Sequence, residues 1–307
     1  MDFSRRQFLT SAAAAAAAGS APGADAPPSA VPSLAVAHYG HAATAPDAIA
    51  EEARRLTRAA IGALGGMGRF VSRGNAVWVK PNIGWDRRPE QAATSNPDVV
   101  ATLVELCYQA GAARVTVGDN PCVSPEESYA RSGIRAAALK AGARCFYMDD
   151  RKFRRMAIRG RVLKEWEIYT EAVESGCLIG VFIPKQHSLT KATLGMKNLM
   201  GLAGGARNRF HQDIAGALAD LAAFLRPQLV VMDALRVLAA NGPTGGNLAD
   251  VRRRDTVAAG VDQVAMDALG ATLLGLRPEE IGYISEAHRR GLGTTDFRAL
   301  APAMLEV

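Results

Sequence analysis

The period of the hydrophobic positions switches repeatedly along this chain. SLAVAHYG (33–40) alternates apolar and polar residues and stops at a glycine, which predicts a strand. DAIAEEARRLTRAAIGALGG (47–66) follows with helical spacing, opened by Pro46–Asp47 and closed by Gly65–Gly66. The exchange recurs in strand NAVWVKPN (75–82) and helix NPDVVATLVELCYQAG (96–111), where Asn96 is the expected N-cap and Pro97 sits in the first turn. Strand ARVTVGDN (113–120), helix SPEESYARSGIRAAALKAG (124–142) and strand ARCFYMDD (143–150) come next. KEWEIYTEAVES (164–175) is expected to be helical, and the near-continuous apolar run CLIGVFIPK (177–185) to be a strand covered on both faces. Helix HQDIAGALADLAAFLRP (211–227), strand PQLVVMDAL (227–235), a short strand in DTVAAGVD (255–262) and helices DQVAMDALGATLLG (262–275) and PEEIGYISEAHRRG (278–291) complete the series. One stretch breaks the rhythm. MDDRKFRRMAIRGRVLKEWEIY (148–169) is charged and lacks apolar period, as a hairpin or a flap would.

Such alternation predicts an α/β fold with a mainly parallel sheet and helices on both faces. In these sheets ligands bind beyond the carboxyl ends of the strands. The residues following the predicted strands are Lys80–Pro81–Asn82, Asp119–Asn120, Lys185 with His187, Asp233 and Asp262, which together suggest a lined cleft.

The first 26 residues stand apart. SRRQFL is followed by a mild alanine run, so Arg5–Arg6 marks a twin-arginine type signal peptide over 1–26, with the export machinery as partner. Residues 27–34 read as a Pro/Ala/Ser linker and 35–307 as a single α/β domain. After removal of that signal the mature protein is expected to be periplasmic or otherwise extracytoplasmic, and since no segment has the length of apolar residues a spanning helix needs, no stable membrane insertion is expected.

Composition changes this picture little. Of 307 residues, 49% are hydrophobic and 21% charged, as in ordinary globular chains. The net charge of +6 could suit nucleic acid, but the basic residues are scattered and aromatics make up only 6%, so no nucleic-acid partner is expected. Cys107, Cys122, Cys145 and Cys177 are widely spaced and form no iron–sulfur motif; any cofactor is left unspecified.

Chemistry concentrates in KQHSLTKATLGMKNLMGLAGG (185–205). Lys185, Lys191, Lys197, Asn198 and the backbone at Gly204–Gly205, with Lys80 and Asn82, are candidates to bind a small anionic ligand. Arg207 and Arg209 add to the cation density. His187, His211 and Asp119 are the candidate catalytic groups, a histidine as general base and Asp119 to orient it. Asp119, Asp233 and His187 are the candidate metal ligands, although Asp119 could equally cap its own Asx turn in GDNP (118–121). No GxSxG elbow or HExxH pair occurs. NGPTGG (241–246) could close over a ligand or serve as a simple turn.

An ordered set of motifs resembles the domain of unknown function 362 family. It comprises VKPNIG (79–84), Thr94 with Asn96–Pro97, GDNP (118–121), PKQHSLTKATLGMKNLMG (184–201), His211 with its helix, VVMDAL (230–235) with NGPTGG, and AAGVDQVAMDALG (258–270). The resemblance implies the α/β fold and a role for Lys80, Asn82, Lys185, His187, Lys197, Asn198 and His211, and it implies no reaction. Some members carry a ferredoxin-like segment with clustered cysteines, which this chain lacks. Two readings follow: an exported enzyme acting on a small carboxylate or phosphoryl substrate, metal-assisted or not, or a non-catalytic binding or accessory protein of an exported redox system. A homodimer is compatible with either.

Overall fold

The computed structural model describes residues 31–40 and 45–307. The expected signal peptide, and the expected linker as far as residue 30, lie outside the described residues. Among the described residues twelve strands are seen: β1 (Leu34–His38), β2 (Ala76–Lys80), β3 (Arg114–Val117), β4 (Arg144–Cys145), β5 (Phe153–Ala157), β6 (Glu165–Tyr169), β7 (Cys177–Phe182), β8 (Lys185–His187), β9 (Lys191–Thr193), β10 (Leu229–Leu238), β11 (Val251–Gly260) and β12 (Ala303–Glu306). Eight of them form a path in the order β12-β1-β11-β10-β7-β2-β3-β4, with β8 hydrogen-bonded to β10 and to β9. β10, β7, β2, β3 and β4 are mutually parallel, and β12 is parallel to β1; β11 is antiparallel to both of its neighbours.

Side-chain alternation along the strands divides the core into two layers. Val77 and Val79 of β2, Ile179 and Val181 of β7, and Val231 of β10 pack with helices Pro46–Ala63 and Pro97–Gln109. Trp78, Leu178, Phe182 and Met232 point the other way, toward helices Ile214–Leu225, Gln263–Leu273 and Gly282–Arg289 and the β5–β6 hairpin. Helices therefore cover both faces, as the sequence predicts.

This arrangement has a direction. From β2 the chain passes through helix Pro97–Gln109, on one face, to β3. From β7 it passes through helix Ile214–Leu225, on the other face, to β10, in the opposite direction along the sheet. The neighbouring pair β2 and β7 is thus the switch point of the sheet, the place beyond the carboxyl ends where sheets of this kind form the crevice for a ligand.

Several local expectations are corrected. Residues 165–169 are not helical but pair with β5 in an antiparallel hairpin, leaving only the turn of helix Thr170–Val173; alternation in EWEIY outweighs its helix-favouring glutamates. This also resolves the 148–169 excursion as a hairpin. The helix expected over 124–142 is two, Pro125–Arg131 and Ile134–Lys140, divided at Gly133. β10 runs on past Asp233, so this residue is inside a strand rather than after one, and the short strand of 255–262 is the second half of the ten-residue β11. β1 begins at Leu34, one residue inside the expected linker.

Candidate functional site

Three of the predicted strand-end groups meet at the switch point. Lys80, the last residue of β2, is fully buried. Its Nζ lies 2.7 Å from the Pro81 carbonyl, 2.8 Å from Asn198 Oδ1 and 2.7 Å from Asp119 Oδ1. Two hydrogen-bond acceptors and a carboxylate around this nitrogen suit an ammonium group. Burial lowers its proton affinity, and the Asp119 carboxylate opposes that shift. Asp119 follows β3 and is held on all sides. Its Oδ1 meets Lys80 as an ion pair without well-angled hydrogen-bond geometry, and its Oδ2 accepts from Ile83 N at 2.6 Å. The Tyr129 hydroxyl contacts both the amide and the carbonyl of Asp119 at 2.7 Å. Gly201 closes over the pair: a Cβ there would lie 1.8 Å from Asp119 Oδ1 and 2.7 Å from Lys80 Nζ, so only glycine fits.

Asn198 joins the two sides of the crevice. Its Nδ2 donates to Val181 O of β7 at 2.9 Å, while its Oδ1 accepts from both Lys80 and Asn82 Nδ2. Asn82 in turn presents its Oδ1 to Lys185 Nζ at 3.1 Å, and Lys185 donates to the Ala93 carbonyl at 2.8 Å. Lys185 is only 1% exposed, yet its acceptors are neutral and no carboxylate pairs with it among the described residues. Burial, with Lys197 and Lys80 adding repulsion, lowers its pKa to about 7.

Lys197 lies on the short helix Gly195–Asn198. That helix is anchored from behind by the buried carboxylate of Asp267, which accepts from Gly195 N at 2.7 Å and Met196 N at 3.0 Å. Burial pushes the Asp267 pKa up to about 8 against the pull of those two amides, with Asp262 adding repulsion. Lys197 is half-buried, and its one side-chain hydrogen-bond contact among the described residues is Met200 Sδ at 4.0 Å. Burial lowers its proton affinity; Cys122 opposes and Arg207 reinforces the shift. Arg207 itself donates to the carbonyls of Asn120 and Pro121, at 2.8 and 2.6 Å, fastening the 118–122 loop to the segment after Asn198.

His187 is nine-tenths buried beside these cations, and its pKa falls to about 4 through burial first and then Lys197, Lys185 and His211. Its Nδ1 accepts from Leu189 N at 3.1 Å and Thr190 N at 3.3 Å. The ring hydrogen is therefore on Nε2, and the neutral imidazole is a donor at that atom. A general base needs a free lone pair, so the expected base role does not fit His187 at rest. His211 is exposed, with Nδ1 at 3.0 Å from Asn208 O.

The other predicted residues are placed elsewhere. Lys191 is on the surface, 3.4 Å from Glu280. Gly204 donates its amide to Glu167 O and accepts from Trp166 Nε1 at its carbonyl, so its amide is taken by the β5–β6 hairpin, while Gly205 is exposed and the space a Cβ would take there faces Glu167. Asp233 accepts from Asn96 N at 2.6 Å and Leu235 N at 3.3 Å, and burial raises its pKa to about 6. Asp262 caps helix Gln263–Leu273. Among the described residues no three His, Cys, Asp or Glu side chains group so as to hold a metal ion. The NGPTGG turn packs on β8, with Gly242 N donating to Gln186 Oε1.

One neighbour escaped the sequence reading. Cys122 is exposed, follows the loop that carries Asp119, and donates its amide to the Gly84 carbonyl at 3.0 Å. Its position directly after GDNP is the cue that pairwise cysteine spacing cannot supply.

The model of the family described as Domain of unknown function (DUF362) matches residues 77–272, which include all of these groups. The chain is 28% identical over 242 residues to thylakoid-associated protein sll1697 of Synechocystis sp., covering 76% of this chain and 73% of that protein. Among solved structures, the lactate racemase apoprotein of Thermoanaerobacterium thermosaccharolyticum aligns with a TM-score of 0.48 and 11% identity, over 78% of this chain and 56% of that one. No helix among the described residues is long and apolar enough to cross a membrane.

Proposed function

The chain belongs to the domain of unknown function (DUF362) family, and from that premise we propose that it is an enzyme that binds a small carboxylate or phosphoryl anion in the crevice between β2 and β7. The observation that carries this reading is the pair Lys185 and Lys197: two amines, one wholly and one half buried, neither with a carboxylate partner among the described residues. A buried ammonium without a counter-ion costs several kcal/mol, and an anionic ligand offsets that cost. Arg207 adds a third positive group at the rim, and the His187 Nε2–H adds a neutral donor. The convergence of several groups with shifted proton affinity supports an enzyme over a passive carrier. In this reading Lys80, Asp119, Asn82 and Asn198 form the rigid floor, and His211 is an outer group.

The test is calorimetric titration of the chain with acetate and with inorganic phosphate. Binding of either that weakens about tenfold or more in Lys185→Met supports the reading; equal binding by parent and variant, or none by the parent, sinks it. Export is supported by Arg5–Arg6 and the alanine run. Sequencing the N-terminus of protein from the extracytoplasmic fraction tests it, and retention of the whole chain in the cytoplasm would count against it.

A further inference from the structure

The lysines of this protein differ in what occupies their nitrogen. Lys80 is surrounded by three oxygens and sealed by Gly201. Lys185 is 1% exposed and gives its hydrogens to Asn82 and Ala93. Lys152, Lys164 and Lys191 are engaged by Glu171, the Gly160 carbonyl and Glu280 on outer surfaces. Lys197 alone of the site lysines is both open to a ligand and without an oxygen partner among the described residues. Its helix neighbour Asn198 bonds to Asn82, which accepts from Lys185, and to Lys80, which pairs with Asp119 of the loop that Arg207 holds; His187 is two residues beyond Lys185 on β8.

We propose that the anion bound here is a 2-oxo carboxylate and that Lys197 condenses with its carbonyl carbon to form an imine. The proposal rests on the anion-binding reading and gives it a substrate class. Carboxylate and ketone oxygens are adjacent in such a molecule and ask for different partners: cations for the first, a neutral hydrogen-bond donor for the second. Arg207 supplies the cation, Lys185 adds buried positive charge beneath it without touching the ligand, and the His187 Nε2–H polarises the ketone without competing for the amine's proton. The lowered proton affinity of Lys197 favours the free amine that attack requires. Asp267 positions this amine by holding the start of its helix.

The step balances without a redox partner. The Lys197 nitrogen forms a bond to the carbonyl carbon, and the carbon–oxygen double bond is lost. Of the three hydrogens of the ammonium group, two leave with the oxygen as water and one stays on nitrogen, so the positive charge is kept as an iminium ion. That iminium then withdraws electrons from the carbon next to it, as imine-forming lysines do in carbon–carbon or carbon–hydrogen bond cleavage.

The experiment treats the chain with pyruvate and sodium borohydride, which reduces an imine to a stable secondary amine, and maps the adduct by peptide mass spectrometry. Acetate replaces pyruvate in a parallel sample, and Lys197→Arg is carried alongside, with calorimetry of pyruvate binding on both proteins. The expected result is an adduct on Lys197 at least about tenfold above that on exposed Lys191, absent with acetate and absent in Lys197→Arg, while Lys197→Arg still binds pyruvate. Pyruvate binding with no adduct, or with adduct spread evenly over surface lysines, overturns the imine and leaves the anion site standing. Failure of the parent to bind either pyruvate or acetate overturns both. Because the parent's own adduct map decides the matter, a Lys197→Arg chain that fails to fold does not rescue the proposal.

Discussion

Lys80 and Lys185 emerge from the carboxyl ends of neighbouring strands, are equally buried and share Asn82 and Asn198 as a connecting bridge. Yet Lys80 has Asp119 at 2.7 Å, and Lys185 has only neutral oxygens. The difference divides the crevice into a finished half and an unfinished one. A compensated ammonium contributes to the framework, whereas an uncompensated one holds electrostatic potential for a ligand to use.

The comparison breaks most visibly at Asp119. Asp119→Ala leaves Lys80 without its counter-ion and Ile83 N without its acceptor, and should lower unfolding free energy by about 3–5 kcal/mol, read from a denaturant midpoint. A loss below about 1 kcal/mol would mean the pair is not what holds this half. Lys185→Met should cost far less, under about 2 kcal/mol, because the orphaned Asn82 and Ala93 oxygens are offset by removal of a desolvated amine. The same change should abolish most anion affinity, and a variant that loses stability as severely as Asp119→Ala would erase the distinction.

A pH series sharpens it further. With its pKa lowered to about 7 from the ordinary 10.5, folded Lys185 holds fewer protons than the unfolded chain between those values. Stability relative to Lys185→Met should therefore be lowest below about pH 7 and rise above it, by at most ~1.4 kcal/mol per pH unit. Anion affinity runs the other way, falling as pH rises through about 7, since the ligand prefers the ammonium. Titration calorimetry across that range in parent and variant checks both; a flat affinity profile for the parent would contradict the assignment. The smallest effect belongs to Lys191→Ala, which removes an exposed contact to Glu280 and should change stability by less than about 0.5 kcal/mol and affinity not at all.

Much of this architecture was legible in the order of apolar periods, because an alternation of strands and helices constrains a sheet to be mostly parallel. The hairpin at 153–169 was harder, since its pairing depends on a partner strand that no local window contains. The site shows the same limit. Lys80, Asn82, Asp119, Lys185 and Asn198 were identifiable as strand-end or segment polar groups and do converge. Lys191 and Gly204 belong to the same segment, but strand register turns Lys191 toward Glu280, and the hairpin occupies the Gly204 amide and carbonyl. Asp233 looked terminal because β10 could not be seen to continue through its bulge. What His187 can do depends on which ring nitrogen the next turn uses, and only coordinates reveal that.

The bridge at Asn198 also bears on the order in which the molecule assembles. Lys80 and Asn198 are 118 residues apart in the chain, Asn82 and Asn198 are 116, and Lys185 and Asn82 are 103. Contacts of such separation close late, after β2–β3 and β7–β10 have gathered around their own crossover helices. The crevice is then a seam between two earlier-formed pieces. In a refolding experiment, recovery of ligand binding should lag behind recovery of helical signal; simultaneous recovery would show that the seam is part of the nucleus instead.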